Sequence, residues 1–491
     1  MRRPAPRFNA RFDSTSRACY GHADPQPEEP RVRRIAPRLA LLGLAAACVA
    51  AAPPETAPPE TAPPQAAPHI DVEQYALPNG LTVLLSRDDR LPVVAVEVRY
   101  LVGSAHEPEG RSGFAHLFEH LMFQGSGHYD DEYFKPFEPI GGVINGTTNA
   151  DRTNFFERVP SPYLELAMWM ESDRMESLLD ALDQGKLDNQ RDVVKNERRQ
   201  RYENTPYGMF WKYLTELLHP EGHPYHHTTI GSHADLTAAS LDDVKAFFRQ
   251  YYVPANAVVT VVGDFDPAAT KALITKYFGH MPAGERAPTP QATRPVPTEP
   301  RHLTYTDTVK LPRIYLAWPS PALYEEGDSA LDVLATVLSD GKTSRLYLPL
   351  VYQQKLVKDV SAFQVSQGLS GFFVVQATVA PGHTVDEVAP ALEAALATAL
   401  ATPPTADEMS RALNGWKKSF YQRIEGVVSR AQLLSNYFHQ AGRADYLAAD
   451  LARYVELTPE KVQAATRFLE APALRIDILP GEKPAEKEGD Q

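Results

Sequence analysis

Residues 113–123 have the sequence Gly113-Phe-Ala-His116-Leu-Phe-Glu119-His120-Leu-Met-Phe123, in which apolar residues recur at the spacing of a buried helix. His116 and His120 are four residues apart, so their imidazoles project from one side of that helix, one turn apart. This spacing suits two ligands of one Zn²⁺, with N–Zn bonds of about 2 Å. Glu119 leans towards the same side, where its carboxylate can take a proton from an attacking water.

A single H-x-x-E-H pattern is only moderately specific, because some chains of this length match it by chance. The alternative is a surface helix that carries an incidental His pair. The apolar surroundings disfavour this alternative, since an unpartnered charge in such a helix is costly. A catalytic zinc site has three protein ligands and one water, so one more ligand is predicted elsewhere in the chain.

The composition indicates a packed globular protein with an acidic body. Apolar residues make up 43% of the chain, and 491 residues suggest two or three domains. Residues 1–47 contain nine Lys/Arg and four Asp/Glu, whereas residues 48–491 contain 40 and 58, a net charge of −18. This acidity argues against nucleic acid as a partner. It suits basic or neutral peptide substrates, although acidity also simply keeps a protein soluble.

Both cysteines, Cys19 and Cys48, precede the predicted folded body. The body therefore has no disulfide, no thiolate metal site and no cysteine nucleophile. Any metal ion must be held there by imidazoles and carboxylates.

The N-terminal region is typical of a bacterial secretory signal. Four arginines within residues 31–38 precede the apolar run 39–47, which is too short to span a bilayer. Cys48 follows, in a context that resembles a lipobox, so it is a candidate for lipidation; the alternative is ordinary cleavage after Ala47. Residues 1–48 are thus predicted to direct export from the cytoplasm to the periplasm or cell envelope, with or without a lipid anchor.

Two Pro-rich stretches divide the rest of the chain. The first, 49–69, contains a five-residue repeat and predicts an extended tether. The second, 282–300, predicts a linker between halves of roughly 200 residues each. The predicted domains are a zinc-bearing domain at 70–281, a related domain without the zinc motif at 301–485, and a tail at 486–491.

The two halves share a pattern at both ends. Ser240 precedes a helix and the strand 256–263, and Thr458 precedes a similar helix and the strand 473–481. The starts of the halves also correspond, with Leu-Pro before a strand, then Glu-Gly and an apolar helix. A duplicated α+β domain is the simplest explanation. Chance recurrence of short patterns is the alternative.

With these features the chain resembles the pitrilysin and mitochondrial processing peptidase family, whose zinc motif is H-x-x-E-H. Glu197 lies 77 residues after His120, where that family has its third ligand. The surrounding stretch 189–200 also resembles the family's second metal-bearing helix. The resemblance therefore implies one Zn²⁺ per chain, held by His116, His120 and Glu197.

The resemblance also implies a fold and a reaction. The implied fold is α+β, with two homologous domains, each a mainly antiparallel sheet with helices packed on it, facing each other around a central chamber. Extended peptides would pair with an edge strand near Asn145 and Thr148, a mode that reads shape more than sequence. Glu119 would act as general base in an endopeptidase that favours unfolded peptides.

Two departures from the family pattern bear on activity. Many active members have a second Glu seven residues before the third ligand, where this chain has Gln190. An amide can hydrogen-bond around the site but cannot serve as a base or an anion. An Arg/Tyr pair that grips substrate in some members has no clear counterpart in the strand 371–380. We expect tuned or reduced activity, and a homo- or hetero-dimer in which a related subunit carries that pair.

The stretch from His219 to His233 contains five histidines and invites a second metal site. Pro and Gly between them place the stretch on a loop, and a similar loop in the family is structural, so we expect a structural role here. Taken together, the sequence predicts a zinc-dependent endopeptidase. The alternative is a non-catalytic scaffold subunit of a peptidase-like complex.

Overall fold

The computed structural model of the chain describes residues 68–483. The predicted signal region with Cys19 and Cys48, almost all of the first Pro-rich stretch and the whole predicted tail lie outside these residues. Within residues 68–483, no helix combines the length and the apolar character that a bilayer span requires.

The first half forms a six-stranded sheet with helices packed on it. Its strands are β1 (Glu73–Ala76), β2 (Thr82–Arg87), β3 (Val93–Tyr100), β4 (Val143–Thr148), β5 (Thr153–Pro160) and β6 (Ala257–Gly263). Its helices are α1 (Phe114–Leu121), α2 (Leu164–Ala181), α3 (Gln184–Arg198), α4 (Phe210–Leu218), α5 (His233–Ala238), α6 (Leu241–Tyr251) and α7 (Pro267–Phe278). Valine dominates β3 and β6, as expected for central strands covered on both faces.

The second half forms a five-stranded sheet. Its strands are β7 (Arg301–Asp307), β8 (Arg313–Ser320), β9 (Val357–Val365), β10 (Gly371–Val379) and β11 (Leu474–Pro480). Its helices are α8 (Asp328–Ser339), α9 (Val385–Leu400), α10 (Ala406–Glu425), α11 (Val427–Ala441), α12 (Leu447–Val455) and α13 (Pro459–Ala464). Residues 282–300 lie between the two sheets in sequence and contain neither helix nor strand. The domain boundaries on either side of this stretch remain predictions.

The two sheets have the same topology. The first runs β1-β2-β6-β3-β5-β4, and the second runs β7-β11-β8-β10-β9, so every strand after β1 has a counterpart in order. The β2/β6 and β7/β11 pairs are parallel, and the other neighbours are antiparallel. Helices α1 and α8 each follow a left-handed glycine, Gly113 (φ 92°) and Gly327 (φ 96°). The predicted α+β fold of two homologous, mainly antiparallel halves is confirmed.

One helix from each half packs on the sheet of the other half. Helix α11 packs on β3 and β6 of the first sheet, where its Ala431 and Leu434 are buried. Helix α4 packs on β8 and β11 of the second sheet, and the Phe210 ring stacks on Tyr315 with centroids 3.8 Å apart. Burial of apolar area in both directions ties the halves together, and residues 68–483 belong to one compact unit.

A buried carboxylate lies under the exchanged helix α11. Glu97 on β3 is fully buried, and it accepts hydrogen bonds from Ser435 Oγ (2.6 Å) and Asn154 Nδ2 (2.7 Å). The Arg99 guanidinium lies 3.3 Å from the same carboxylate and also donates to Asn436 of α11 (3.0 Å). A buried charge is tolerated when it is paired and hydrogen-bonded in this way, so the contact between the halves is polar as well as apolar.

Candidate metal centre

Helix α1 is fixed at its start by a buried carboxylate. The Glu107 side chain accepts hydrogen bonds from the main-chain nitrogens of Gly113 (2.9 Å) and Ala115 (2.8 Å). These bonds satisfy donors that the first turn of a helix leaves without partners. Burial raises the pKa of Glu107 well above its usual value. The apolar side of α1 lies in the core of the first half, which leaves the His-bearing side directed at α3.

His116, His120 and Glu197 converge across the gap between α1 and α3. Among the described residues they are the one group of three side chains placed to hold a metal ion, with ligand atoms within 4.8 Å of one another. Oε2 of Glu197 is 3.2 Å from Nε2 of His120 and 3.8 Å from Nε2 of His116. Tetrahedral ligands with bonds of about 2 Å to zinc lie about 3.3 Å apart, so this donor set fits one zinc ion.

The protonation states of the ligands also suit a metal. Burial, aided by the adjacent His120, lowers the pKa of His116 to about 3, so its imidazole is neutral. Burial alone would raise the pKa of Glu197, but the hydrogen bond from His120 and the proximity of His116 and Arg201 outweigh it and lower that pKa to about 2. A neutral imidazole and an ionised carboxylate are the forms that bind metal.

Glu119 lies beside the three ligands without belonging to their group. Thr148 Oγ1 donates a hydrogen bond to Oε2 of Glu119 at 2.6 Å. Burial raises the pKa of Glu119, against the opposing effects of that hydrogen bond and of the His120 charge. A carboxylate with a raised pKa is a stronger base than an exposed one, which suits proton transfer near neutral pH.

Strand β4 forms one edge of the first sheet, opposite to β1, and borders the site. It contains Asn145 and Thr148, the predicted substrate-binding residues. The Thr148 hydroxyl contacts Glu119, while the Asn145 side-chain oxygen accepts a hydrogen bond from the main-chain nitrogen of Gly146 (2.9 Å). Both residues therefore lie on the edge strand, as predicted. Their role in binding substrate remains a prediction.

Two family models match the chain. Residues 82–223 match the one described as Insulinase (Peptidase family M16), and residues 238–415 match the one described as Peptidase M16 inactive domain. The chain belongs to peptidase family M16. The predicted resemblance to pitrilysin and the mitochondrial processing peptidase is thus confirmed.

Individual M16 relatives agree with this assignment. The zinc protease PqqE of Helicobacter pylori is 30% identical over 81% of this chain and 92% of the relative. A crystal structure of a protease from Helicobacter pylori superposes with a TM-score of 0.77 and 28% identity, covering 84% of this chain and all of that one. Pitrilysin shares the fold, with a TM-score of 0.69 at 20% identity, and the chain covers 46% of its length.

In the second half of this M16 chain, apolar residues occupy the helix positions that correspond to the H-x-x-E-H motif of the first half. Counted from the left-handed glycine before each helix, Ala330, Val333 and Leu334 of α8 take the places of His116, Glu119 and His120. All three are buried in the second core. The apolar core of the second half thus fills the place of the motif.

Two histidines of the stretch 219–233 make hydrogen-bond contacts with neighbouring residues. His219 Nε2 lies 3.2 Å from Ser370 Oγ, and His226 Nδ1 lies 2.9 Å from the carbonyl oxygen of His219. The prediction that the whole stretch is a loop is wrong for His233, which begins helix α5. Ser232 caps this helix, and this Ser-x-x-Asp signal was visible in the sequence.

Three contacts at the site were not predicted. Arg201 Nη2 lies 2.8 Å from Oε1 of Glu197, which leaves Oε2 directed at the imidazoles. The four-residue spacing of Glu197 and Arg201 could have revealed this pair. The other two, the bond from Thr148 to Glu119 and the close approach of Gly146 to the same side chain, have no local signal. Gln190, predicted to lie near the ligands, is buried on α3 two turns before Glu197.

Gly146 on β4 leaves room for Glu119. A Cβ at this position would lie 3.0 Å from the Phe155 ring, 3.1 Å from Cγ of Glu119 and 3.2 Å from the Phe123 ring. A side chain there must therefore displace Glu119, because the two rings belong to the packed core.

We expect Gly146→Val to lower the kcat of peptide hydrolysis by roughly 10- to 100-fold, since a small misplacement of a catalytic group costs that much. Zinc content, measured by atomic absorption, should be unchanged because Gly146 is not a ligand. Gly415→Val is the matched control, since a Cβ at Gly415 meets nothing within 4 Å. Wild-type kcat in Gly146→Val would show that the position of Glu119 is not restricted by this strand.

Proposed function

We propose that this chain is a zinc-dependent endopeptidase that hydrolyses extended peptides. The observation that supports this most is the arrangement of Glu119, a half-buried residue whose carboxylate is held by Thr148 next to three converging ligand side chains. His116, His120 and Glu197 would hold the zinc ion. Bound zinc supplies a Lewis acid that lowers the pKa of a coordinated water to about 7 and polarises a carbonyl oxygen.

The side chains around the ligands have separate tasks in this proposal. Glu119 accepts the proton of the attacking water and later delivers it to the leaving amine. Thr148 fixes the carboxylate of Glu119 through its hydroxyl. Strand β4 offers its outer edge to the main chain of the substrate, with Asn145 and Thr148 beside the scissile bond.

A scaffold function is the second candidate. The match of residues 238–415 to a model described as an inactive domain favours it, and so does Gln190 in place of the second Glu of many active relatives. The complete ligand set and the position of Glu119 beside it favour catalysis. We propose that the chain forms a homo- or hetero-dimer. In a hetero-dimer, a related subunit would supply the Arg/Tyr pair that has no clear counterpart in this chain.

Export is the third element of the proposal. The arginines and the apolar run before Cys48 support transfer to the periplasm or cell envelope, with Cys48 as the candidate site of lipidation. The Pro-rich stretch 49–69 would then separate the folded body from a membrane surface.

Removal of zinc is the direct test of the proposed reaction. The purified chain, alone and with a co-expressed related subunit, is assayed on internally quenched unstructured peptides. We expect chelation to remove hydrolysis and stoichiometric zinc to restore it, because in the proposed reaction the metal activates the attacking water. Hydrolysis that survives complete removal of zinc would overturn the zinc-dependent reaction. A zinc-loaded chain that is inactive in both forms would leave the scaffold function.

A further inference from the structure

The end of helix α3 is joined to a loop on the far side of the metal ligands. Arg198 directly follows Glu197 and is buried, with 4% of its surface exposed. Its Nε donates to the carbonyl oxygen of Gly231 (3.1 Å), and its Nη1 donates to the carboxylate of Glu203. Glu203 ends the π-helical turn Arg199–Glu203, a distortion that is frequent at functional sites.

His233 completes this group from the other side. Its Nε2 lies 3.0 Å from Oε1 of Glu203, and the residue is 2% exposed. Arg198, Glu203, Gly231 and His233 are called the loop clamp below. The clamp holds the C-terminal end of α3 against the loop that precedes α5.

The same loop lies against the start of helix α1. A Cβ on Gly231 would be 2.5 Å from Cα of Gly113, and a Cβ on Gly113 would be 2.8 Å from the carbonyl oxygen of Ile230. The two backbones are therefore in direct contact, and neither glycine has room for a side chain. Gly231 thus contacts α1 through its backbone and α3 through its carbonyl oxygen.

Hydrogen bonds also join the segment before α1 to the loop and to the first turn of α5. The main-chain nitrogen of Ser112 donates to Asp235 (3.0 Å), and the Ser112 hydroxyl donates to the same carboxylate. The main-chain nitrogen of Ser232 in turn donates to Ser112 Oγ (3.0 Å). The position of the loop relative to the His-bearing helix is thereby fixed by both packing and polar contacts.

We propose that Arg198 is a positioning residue, which sets the distance between the His pair on α1 and Glu197 on α3 through the loop clamp. The inference rests on the proposed zinc site. Metal ligands must be held to within about 0.5 Å of their working positions, and here they come from two helices. Besides the direct packing of α1 on α3, the clamp connects the residue next to the third ligand to the start of the helix with the other two.

The test is a double variant, Arg198→Met with Glu203→Gln. Met keeps much of the packing of the Arg stem, and removal of both charges leaves no unpaired buried ion, so the variant is expected to fold. Zinc affinity is measured by competition with a chelator, without substrate. We expect the zinc Kd to rise about 10- to 100-fold, the usual cost of losing support around metal ligands. The unfolding temperature of the zinc-free protein should change little by comparison.

Arg199→Met is the matched control, because Arg199 is exposed and bonds Asn196 of its own helix. It should bind zinc like the wild type. A folded double variant with wild-type zinc Kd would overturn the proposal. If the double variant does not fold, Arg198→Lys replaces it, since one ammonium cannot reproduce the fork that reaches both acceptors. Wild-type zinc Kd in that variant would overturn the proposal equally.

Different results would contradict the proposed role of the loop clamp and the proposed endopeptidase function. If the wild-type chain binds zinc tightly but hydrolyses no peptide, the endopeptidase function is contradicted and the role of the loop clamp is not. A folded clamp variant with unchanged zinc Kd contradicts the clamp alone. A wild-type chain that binds no zinc overturns both.

Discussion

Replacing Glu119 with Gln is expected to lower the kcat of peptide hydrolysis by about 10²- to 10⁴-fold, the usual contribution of a positioned general base. Gln has nearly the same shape, and its side-chain oxygen can still accept the hydrogen bond from Thr148. An amide, however, cannot take a proton from water at neutral pH. Zinc content should remain at the wild-type level, because Glu119 stands outside the group of ligands.

The measurement pairs kcat on a quenched peptide with zinc content by atomic absorption. Glu109→Gln serves as the control, since it removes an exposed carboxylate shortly before α1 and should leave both quantities unchanged. Wild-type kcat in Glu119→Gln would remove Glu119 from the mechanism. Loss of zinc together with activity would instead make Glu119 part of the metal site.

The half of the site that lies on one helix could be predicted from local sequence. The positions of His116, Glu119 and His120 follow from helix geometry alone, and the apolar residues between them bury the opposite side. Glu197 could not be found in this way, because 77 residues separate it from His120 and nothing in its own helix distinguishes it from other acidic residues. Only the resemblance to a family singled it out, and the structure brings it to the His pair.

The exchange of helices between the halves was not predictable from the sequence. The apolar side of α4 and that of α11 predict burial, but hydrophobic periodicity does not say which sheet a helix covers. The repeat predicted two similar sheets correctly. The packing of α4 and α11 on the sheet of the opposite half, however, depends on contacts between residues more than 90 positions apart. For the same reason Gly146 and Gly231 gave no signal, since their importance comes from chain segments that approach only in the folded state.

Replacing Glu197 with Gln is expected to raise the zinc Kd by at least about 100-fold. Mutation of residues that merely support metal ligands lowers metal affinity about 10- to 100-fold, so loss of a charged ligand should lower it at least as much. The carboxylate lies 3.2 Å from His120 and brings a negative charge to the metal, which an imidazole ligand does not supply. The zinc-free variant should fold normally, because the pair with Arg201 is largely exposed on the Arg side and contributes little to stability.

Asp192→Asn is the control for charge, because it removes one negative charge from an exposed position on the same helix without touching the ligands. Zinc Kd is measured for both variants by chelator competition, and unfolding temperature is measured without zinc. If Asp192→Asn weakened zinc binding as much as Glu197→Gln, general electrostatics would explain the effect. If Glu197→Gln kept the wild-type Kd, the third ligand would be another residue, and the distance between α1 and α3 would lose its importance for the metal.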